Sequence, residues 1–227
     1  MGKISWPVTR FYNSFICHYL ANFYDRITGE IKERNISGAI LDAGTGPGRL
    51  PVKIAGAVPA VTVTGIDISA DMIKIARKNA GKAGVSDRVK FMIGSTYCTG
   101  FEDASFDLVI STGLVHHLDN PVRAFSEIYR VLNPNGEAWM YDGRRDASRE
   151  EIRTIIGKLK GIGTIIPSWL VELVWPYMHV GYRTAEYTRG KIARAIAESP
   201  FPAHRIAADS GFIKIILKKG GKTAPRS

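Results

Sequence analysis

Apolar residues follow two different periods along the chain. Between residues 7 and 34 the spacing is helical, with apolar side chains at Tyr12, Ile16, Tyr19, Phe23, Ile27 and Ile31. This period predicts an amphipathic helix or helix pair. From residue 38 onward, short apolar runs alternate with helical stretches. Strands that alternate with helices of this length form βαβ units, whose parallel sheet is covered on both faces.

Seven apolar runs are predicted strands. Five of them alternate with helical stretches, at 38–44, 61–68, 89–95, 106–112 and 137–143. The last two are separated only by a turn at Ser210 and Gly211, which predicts an antiparallel hairpin. We therefore expect an α/β fold with a doubly wound, mostly parallel, seven-stranded sheet. An N-terminal helical segment precedes the sheet, and a helical cap lies between strands 5 and 6.

The length and the even apolar content favour a single domain over residues 1–227. The expected parts are an N-terminal helical segment, a cofactor-binding core, a substrate cap with the last helix, a terminal hairpin and a disordered basic tail. In that order their bounds are 1–37, 38–143, 144–202, 203–219 and 220–227.

Three glycines stand at every second position of LDAGTGPGRL, which follows the first predicted strand. Such a turn between a strand and a helix lets backbone amides approach a ligand closely. Gly44 and Gly46 fit the dinucleotide pattern G-x-G-x-x-G, but Arg49 takes the third position and Gly48 comes one residue early. Asp67 ends the second strand at the distance expected for a carboxylate that binds ribose hydroxyls. The spacing predicts a ribose ligand and disfavours a pyrophosphate.

Four segments, in order, resemble the motifs of the class I (Rossmann-like) S-adenosylmethionine-dependent methyltransferases. They are LDAGTGPGRL, GIDISADMIKIARKNA, FDLVISTGLVHHLDNP and VLNPNGEAWMYD, and the resemblance covers residues 38–143. The predicted terminal hairpin suits the antiparallel last strand of that family. The resemblance implies an enzyme that uses S-adenosyl-L-methionine as cofactor and releases S-adenosyl-L-homocysteine.

The resemblance also implies a set of cofactor-binding residues: Asp42, Gly44, Gly46, Gly48, Asp67, Ile68, Met72, Ser95, Thr96, Ser111 and Thr112. In this set the glycines approach the methionine part of the cofactor and Asp42 orients its ammonium group. Asp67 holds the ribose, while Ile68 and Met72 lie against the adenine. A helix-capping role is the alternative for Asp42, and burial in the core is the alternative for Ile68 and Met72.

Methyl transfer from a sulfonium needs a base only when the nucleophile arrives protonated. Two adjacent histidines after the fourth strand, His116 and His117, are the candidates for a base or an orienting group. Adjacent side chains here point to different sides, and we expect His116 to face the pocket. Relatives that bind magnesium carry acidic residues in place of Gly113 and His116, so no metal is expected. The two cysteines are expected to be separate buried thiols.

The connection from 143 to 203 is the predicted acceptor-binding region. Its aromatic residues suit the apolar walls of a small-molecule pocket, and two arginines near its start suit a carboxylate or phosphate. The candidate residues are Arg144, Arg145, Trp169, Trp175, Tyr177, His179 and Tyr182. An amphipathic lid in peripheral contact with a membrane and an ordinary packed cap are the alternatives.

Charge is distributed unevenly along the chain, whose net charge is +10. Residues 1–140 carry 15 Lys+Arg and 13 Asp+Glu, whereas residues 141–227 carry 16 and 8. The excess suits an acidic substrate, a nucleic acid, an anionic surface or solubility alone. Our first expectation is methylation of a small, partly apolar acceptor with an optional acidic end. An RNA methyltransferase and a catalytically inactive cofactor-binding module are the alternatives.

No apolar run approaches the roughly 18 residues that a membrane span requires, and the start of the chain lacks the layout of a signal peptide. These features predict a cytoplasmic protein. The sequence indicates no particular oligomeric state.

Overall fold

The computed structural model describes residues 21–144, 146–158, 181–209 and 212–220. The strands are β1 Gly38–Ala43, β2 Val61–Asp67, β3 Val89–Ile93, β4 Phe106–Thr112, β5 Leu132–Arg144, β6 Gly181–Tyr182, β7 Ala203–Asp209 and β8 Phe212–Lys218. The helices are α1 at 21–33, α2 Arg49–Ala57, α3 Ala70–Ala83, α4 Pro121–Val131, α5 Arg149–Lys158, α6 Thr184–Thr188 and α7 Lys191–Glu198, with a 3₁₀ turn at Val115–His117.

The strands form one sheet in the order β3-β2-β1-β4-β5-β8-β7. The first five are parallel, whereas β8 runs antiparallel to both β5 and β7. The predicted seven-stranded sheet and its antiparallel hairpin are therefore confirmed, although the turn residues 210–211 lie outside the described chain. The two-residue β6 adds a short parallel pairing beside β5.

Strand β5 begins earlier than predicted. Phe106 already pairs with Leu132, and the register then shifts so that Leu108 pairs with Glu137. The predicted start at 137 is therefore wrong by five residues. The polar stretch Asn133–Gly136 hid this pairing, because it interrupts the apolar run from which a buried strand is recognised.

Local sequence signals explain where the helices begin and end. The Ser69 hydroxyl caps α3 by accepting a hydrogen bond from the Met72 amide, and Gly84 ends this helix in the left-handed region, at a φ of 67°. The Asn120 side chain caps α4 by accepting from the Arg123 amide, while Pro121 occupies the first turn. Because β2 and β4 both run parallel to β1, the loops that lead into these two helices lie at the same edge of the sheet.

The sheet separates two apolar cores. One core joins Phe125 and Ile128 of α4 to Met140 of β5, and it continues into the terminal hairpin. The other joins α1, α2 and α3 to the opposite face, where the Phe23 ring stacks on Phe212 at 3.9 Å. Residues 21–33 are helical, within the predicted N-terminal segment, and the first 20 residues lie outside the description.

Candidate cofactor and acceptor site

A cleft opens at the carboxyl ends of β1, β2, β3 and β4, which is where open α/β sheets bind ligands. Its volume is about 330 Å³, and its lining residues are Gly44, Asp67, Ile68, Gly94, Ser95, Thr96, Tyr97, Gly113, Leu114, His117 and Leu118. Among these lining residues there is a carboxylate but neither lysine nor arginine. This electrostatic balance suits a cationic ligand better than a pyrophosphate.

The three loop glycines all adopt positive φ, at 77°, 52° and 71° for Gly44, Gly46 and Gly48. Their surroundings differ. A Cβ on Gly48 would come within 2.6 Å of the Phe91 ring and 2.7 Å of Ala76, whereas a Cβ on Gly46 would meet nothing within 4 Å. Gly48 therefore allows the loop to pack on β3 and α3, and, like Gly46, it is not among the residues that line the cleft.

Asp67 holds the glycine loop in place. Its Oδ2 accepts a hydrogen bond of 2.9 Å from the Gly46 amide, and its Oδ1 accepts one of 2.9 Å from the Ser69 amide. Each carboxylate oxygen has a further lone pair, so both can still accept from a ligand hydroxyl. Because Asp67 also lines the cleft, the predicted ribose contact is compatible with its position.

One oxygen of the buried Asp42 carboxyl lacks a hydrogen-bond partner in the described chain, and Asp42 is not among the residues that line the cleft. Asp42 is 2% exposed, the oxygen without a partner is Oδ1, and the hydroxyl of buried Thr45 also has no partner among the described residues. Burial raises the pKa of Asp42 to about 7; the neighbouring Thr45 hydroxyl opposes this rise, and the nearby Asp67 carboxylate adds to it. The capping alternative is wrong, because Gly48 is the N-cap of α2 and no side chain caps it. A ligand ammonium group would compensate this buried carboxyl.

Ile68 and Met72 are 79% and 40% exposed, so the alternative that they belong to the core is wrong. Ile68 lines the cleft, as do Ser95 and Thr96. Ser95 also accepts a hydrogen bond of 3.2 Å from the Tyr97 amide. An exposed apolar side chain beside polar groups suits the face of a purine base.

The residues at the end of β4 do not behave as expected. Ser111 is fully buried, and its hydroxyl donates a hydrogen bond of 2.8 Å to the Ala43 carbonyl. The prediction that Ser111 faces the cofactor is therefore wrong, since the hydroxyl joins β4 to β1. Thr112 is half-buried and is not among the residues that line the cleft.

The two histidines occupy different positions, and their ring centroids are 3.9 Å apart. His117 is exposed and lines the cleft, where burial of part of its ring and the neighbouring His116 lower its pKa. The His116 side chain is only 8% exposed, and its Nδ1 lies 2.5 Å from Asp142 Oδ1. His117 thus lines the cofactor cleft, whereas His116 is not among its lining residues.

The His116 imidazole retains one unused nitrogen. Its Nε2 is buried and has no hydrogen-bond partner within the described ranges. Asp142 Oδ1 accepts a hydrogen bond from His116 Nδ1–H, and Asp142 Oδ2 accepts one of 2.8 Å from the His116 amide. A carboxylate that accepts from Nδ1–H leaves a lone pair on Nε2, so the ring is oriented to accept a proton there.

Asp142 and Tyr187 complete this network and were missed in the sequence. The Tyr187 hydroxyl donates to Asp142 Oδ2 at 3.0 Å, and both residues are buried. Asp142 could have been found, because it lies at the carboxyl end of β5 as Asp67 does in β2. Tyr187 carries no comparable signal, because it lies more than 40 residues after the end of β5, the last predicted core strand before it.

Arg144 requires a correction. Its guanidinium makes a bidentate pair with Glu151 at 2.9 and 3.0 Å, and its Nε bonds to Asp146 at 3.2 Å. Asp146 in turn accepts from the Thr184 amide and hydroxyl. Arg144 therefore joins β5 to α5 and α6, and the prediction that it holds an acidic group of the substrate is wrong.

The other predicted acceptor residues are mostly outside the described chain: Arg145, Trp169, Trp175, Tyr177 and His179. Tyr182 lies in β6, where the backbone alone is described. Of the cysteines, Cys98 is free and exposed, so the expected burial is wrong for it, and Cys17 lies among the undescribed residues. Where the structure is described, no cluster of three His, Cys, Asp or Glu residues could hold a metal, and no helix could cross a membrane.

These groups fit S-adenosylmethionine better than a dinucleotide. The Asp42 oxygen without a partner suits the ammonium group, and Asp67 suits the ribose. Exposed Ile68 suits the adenine, and the lack of basic residues in the cleft lining disfavours a pyrophosphate.

Known proteins resemble the same part of the chain. Residues 40–136 match the family described as "Methyltransferase domain". The demethylmenaquinone methyltransferase of Leptospira interrogans is 34% identical over 141 residues, which are 60% of this chain and 55% of that protein. The 27-O-demethylrifamycin SV methyltransferase of Amycolatopsis mediterranei is 35% identical over 118 residues, which are 52% of this chain and 43% of that protein. The chain thus spans about half the length of these curated relatives.

A solved structure extends the likeness to the whole fold. A Methanococcus maripaludis protein, described provisionally as an S-adenosyl-L-methionine-dependent methyltransferase, superposes with a TM-score of 0.70 at 22% identity. The match covers 99% of this chain and 100% of that chain. The sheet order, the ordered motifs and the matched family agree with one another. The likeness to a methyltransferase domain thus covers residues 40–136, and the fold of the whole chain is shared with the Methanococcus maripaludis protein.

Proposed function

We propose that the protein methylates a small, partly apolar molecule whose acceptor atom carries a removable proton, with His116 as the general base. One observation carries this proposal: the buried His116 imidazole is fixed at Nδ1 by Asp142 and has an unused Nε2. A buried nitrogen with no partner is costly in a structural role, whereas a proton-accepting group requires one.

When bound, S-adenosylmethionine supplies an electrophilic methyl group on a sulfonium sulfur, and its carbon–sulfur bond breaks as the acceptor atom attacks. The acceptor atom forms the new bond to carbon with its own electron pair, and its proton passes to His116 Nε2. Asp142 holds Nδ1–H and stabilises the imidazolium that results. The chain's main contributions are therefore alignment of the two reactants and removal of one proton.

The proton requirement narrows the class of acceptor. A hydroxyl, a phenol or an activated carbon acid loses a proton on methylation, whereas a thioether or tertiary amine does not. The relatives' names support a small acceptor, because they indicate methylation of demethylmenaquinone and of 27-O-demethylrifamycin SV. An acidic end on the acceptor is no longer favoured by Arg144, which is paired with Glu151 and Asp146.

An acceptor screen with labelled methyl tests the proposal. The purified protein and His116→Gln are incubated with methyl-labelled S-adenosylmethionine and panels of phenols, aliphatic alcohols, carbon acids, tertiary amines and RNA. His204→Gln is the matched control, because His204 is an exposed histidine on β7.

We expect turnover of a small proton-bearing acceptor, a loss of roughly 10²–10⁴-fold in kcat for His116→Gln, and normal turnover for the control. Transfer to RNA alone would favour the RNA alternative. Cofactor binding without transfer to any panel would favour the inactive module. Turnover that His116→Gln leaves unchanged would remove the role of His116.

A further inference from the structure

We infer that Tyr187 is a positioning residue for the proposed base, acting on His116 through the carboxylate of Asp142. The inference rests on the proposed function, because a positioning role has meaning only if His116 takes up a proton. Tyr187 lies in α6, beyond the segment that follows α5, and its side chain is fully buried. Tyr187 is not among the residues that line the cleft.

The Asp142 carboxylate has four donors. Its Oδ1 lies at 2.5 Å from His116 Nδ1 and accepts from the Gly143 amide at 3.0 Å. Its Oδ2 accepts from the His116 amide at 2.8 Å and from the Tyr187 hydroxyl at 3.0 Å. A carboxylate offers about four lone-pair sites, so this carboxylate is saturated.

Tyr187 differs from the other three donors in its origin. The His116 and Gly143 groups belong to the 3₁₀ turn and to β5, and the separation between His116 and Asp142 is 26 residues. Tyr187 is 45 residues from Asp142 and approaches from a separate helix. Its hydroxyl therefore supplies a donor to Oδ2 that is independent of the backbone around the base.

The choice of tyrosine has a physical reason. Its ring belongs to the apolar core that includes Ile192, Ile196 and Met140, where phenylalanine would pack equally well. The hydroxyl adds a polar atom to that core, and this is stabilising only if the hydroxyl is bonded. Its nearest acceptor is the Asp142 carboxylate at 3.0 Å, ahead of the Gly143 carbonyl at 3.3 Å.

The consequence concerns the tautomer of His116. While the carboxylate is held, Nδ1 carries the proton and Nε2 has a free lone pair. If the carboxylate rotates or takes up water, the bond to Nδ1 lengthens and the tautomer with the proton on Nε2 gains population. That tautomer cannot accept a proton at Nε2. Tyr187 thereby increases the fraction of molecules in which His116 Nε2 carries no proton and can accept one.

The test compares Tyr187→Phe with Tyr129→Phe. Tyr129 is one of the partly buried residues packed on the same core, and its ring contacts Phe201 and Lys219. Its variant removes a tyrosine hydroxyl that is not one of the four donors to Asp142. The first measurement is nitrogen-15 NMR of the histidine rings, with His116 assigned by its absence in His116→Gln. The second is kcat and KM with an acceptor from the screen.

We expect His116 in the native protein and in Tyr129→Phe to show the Nδ1–H tautomer. Tyr187→Phe should show a measurable share of the Nε2–H form, and its kcat should fall roughly 5- to 30-fold because one hydrogen bond to a charged group is lost. Both KM values should stay within about twofold, since only the reacting proton is affected. In the Asp142→Asn background, Tyr187→Phe should have no further effect.

An unchanged tautomer in Tyr187→Phe would overturn the inference, whatever happens to turnover. If no acceptor is methylated, the proposed function fails. The tautomer measurement needs no acceptor, so it still tests whether Tyr187 acts on His116 through Asp142. If Tyr187→Phe does not fold, fluorotyrosine replaces the tyrosines. The fluorine signal of residue 187 should then shift on Asp142→Asn, and a constant signal would overturn the inference.

Discussion

The proposed site has two halves that are built differently. The cofactor half, which comprises Asp42, the glycine loop and Asp67, occupies 26 consecutive residues at the ends of β1 and β2. The base half, which comprises His116, Asp142 and Tyr187, joins residues separated by 26 and 45 positions and belonging to three different elements. The first half is formed by local backbone geometry, and the second by long-range side-chain hydrogen bonds.

This contrast has a functional consequence. Changes in the cofactor half should alter cofactor affinity or the stability of the loop, because its groups hold backbone and ligand together. Changes in the base half should alter turnover and leave cofactor affinity nearly constant. Each variant below tests whether the two halves are separable in this way.

Asp142→Asn should have the largest effect. The amide can donate a hydrogen bond to Nδ1 and thereby favour the wrong tautomer of His116, so kcat should fall about 10²–10⁴-fold. Cofactor affinity, measured by calorimetry, should change by less than about twofold, as in the control Asp103→Asn, which alters only an exposed partner of Arg130. A matching loss of cofactor affinity would show that the halves are not separable.

Gly48→Ala and Gly46→Ala form a pair that tests the loop. Both glycines have positive φ, which costs an alanine about 1–2 kcal/mol. Gly48→Ala should also clash with Phe91 and Ala76, which adds about 1–3 kcal/mol. Urea unfolding should therefore show a clearly larger loss for Gly48→Ala. Equal losses would contradict the packing role that we assign to Gly48.

Asp67→Ala should weaken cofactor binding by about 1–3 kcal/mol, because it removes the proposed ribose contact and the anchor of the Gly46 amide. Asp71→Ala is the control, since Asp71 is an exposed carboxylate in the first turn of α3. Calorimetric titration measures both. An affinity that Asp67→Ala leaves unchanged in a folded protein would contradict the assignment.

Asp42 should make cofactor binding depend on pH. Its pKa of about 7 means that the cofactor-free protein is largely protonated at this residue at pH 6. The ammonium group of the cofactor binds the ionised form, so binding releases a proton and affinity rises with pH through 7. Between pH 6 and 7.5 the ionised fraction of Asp42 rises from about 9% to about 76%, so we expect a gain of about eightfold, or ~1.3 kcal/mol. Asp42→Asn should bind more weakly and flatten this profile, and an equally steep profile in the variant would contradict the role.

The sequence signals that predict the proposed cofactor half are local. The glycine spacing, the carboxylate at the end of β2 and the alternation of strands with helices can each be recognised in a short window of sequence. Even there, the packing of Gly48 on Phe91 and the hydroxyl of Ser111 on Ala43 could not be predicted. Both depend on how neighbouring elements approach each other.

The base half was predicted only as a choice between two histidines. Which one bonds to a carboxylate depends on the parallel pairing of β4 with β5, which brings Asp142 beside the 3₁₀ turn. Arg144 illustrates the same difficulty. Its partners Asp146 and Glu151 are close in sequence, but acidic residues near the start of a helix usually face solvent, so the sequence did not indicate ion pairs with Arg144. The positive charge of Arg144 therefore suggested a substrate contact, whereas in the structure this charge forms ion pairs with Asp146 and Glu151.

The most direct measurement is calorimetric titration of the purified protein with S-adenosylmethionine, S-adenosylhomocysteine and NAD. The cleft lining, with its carboxylate and without lysine or arginine, predicts binding of the first two and none of NAD. Binding of NAD alone, or of none of the three, would contradict the account.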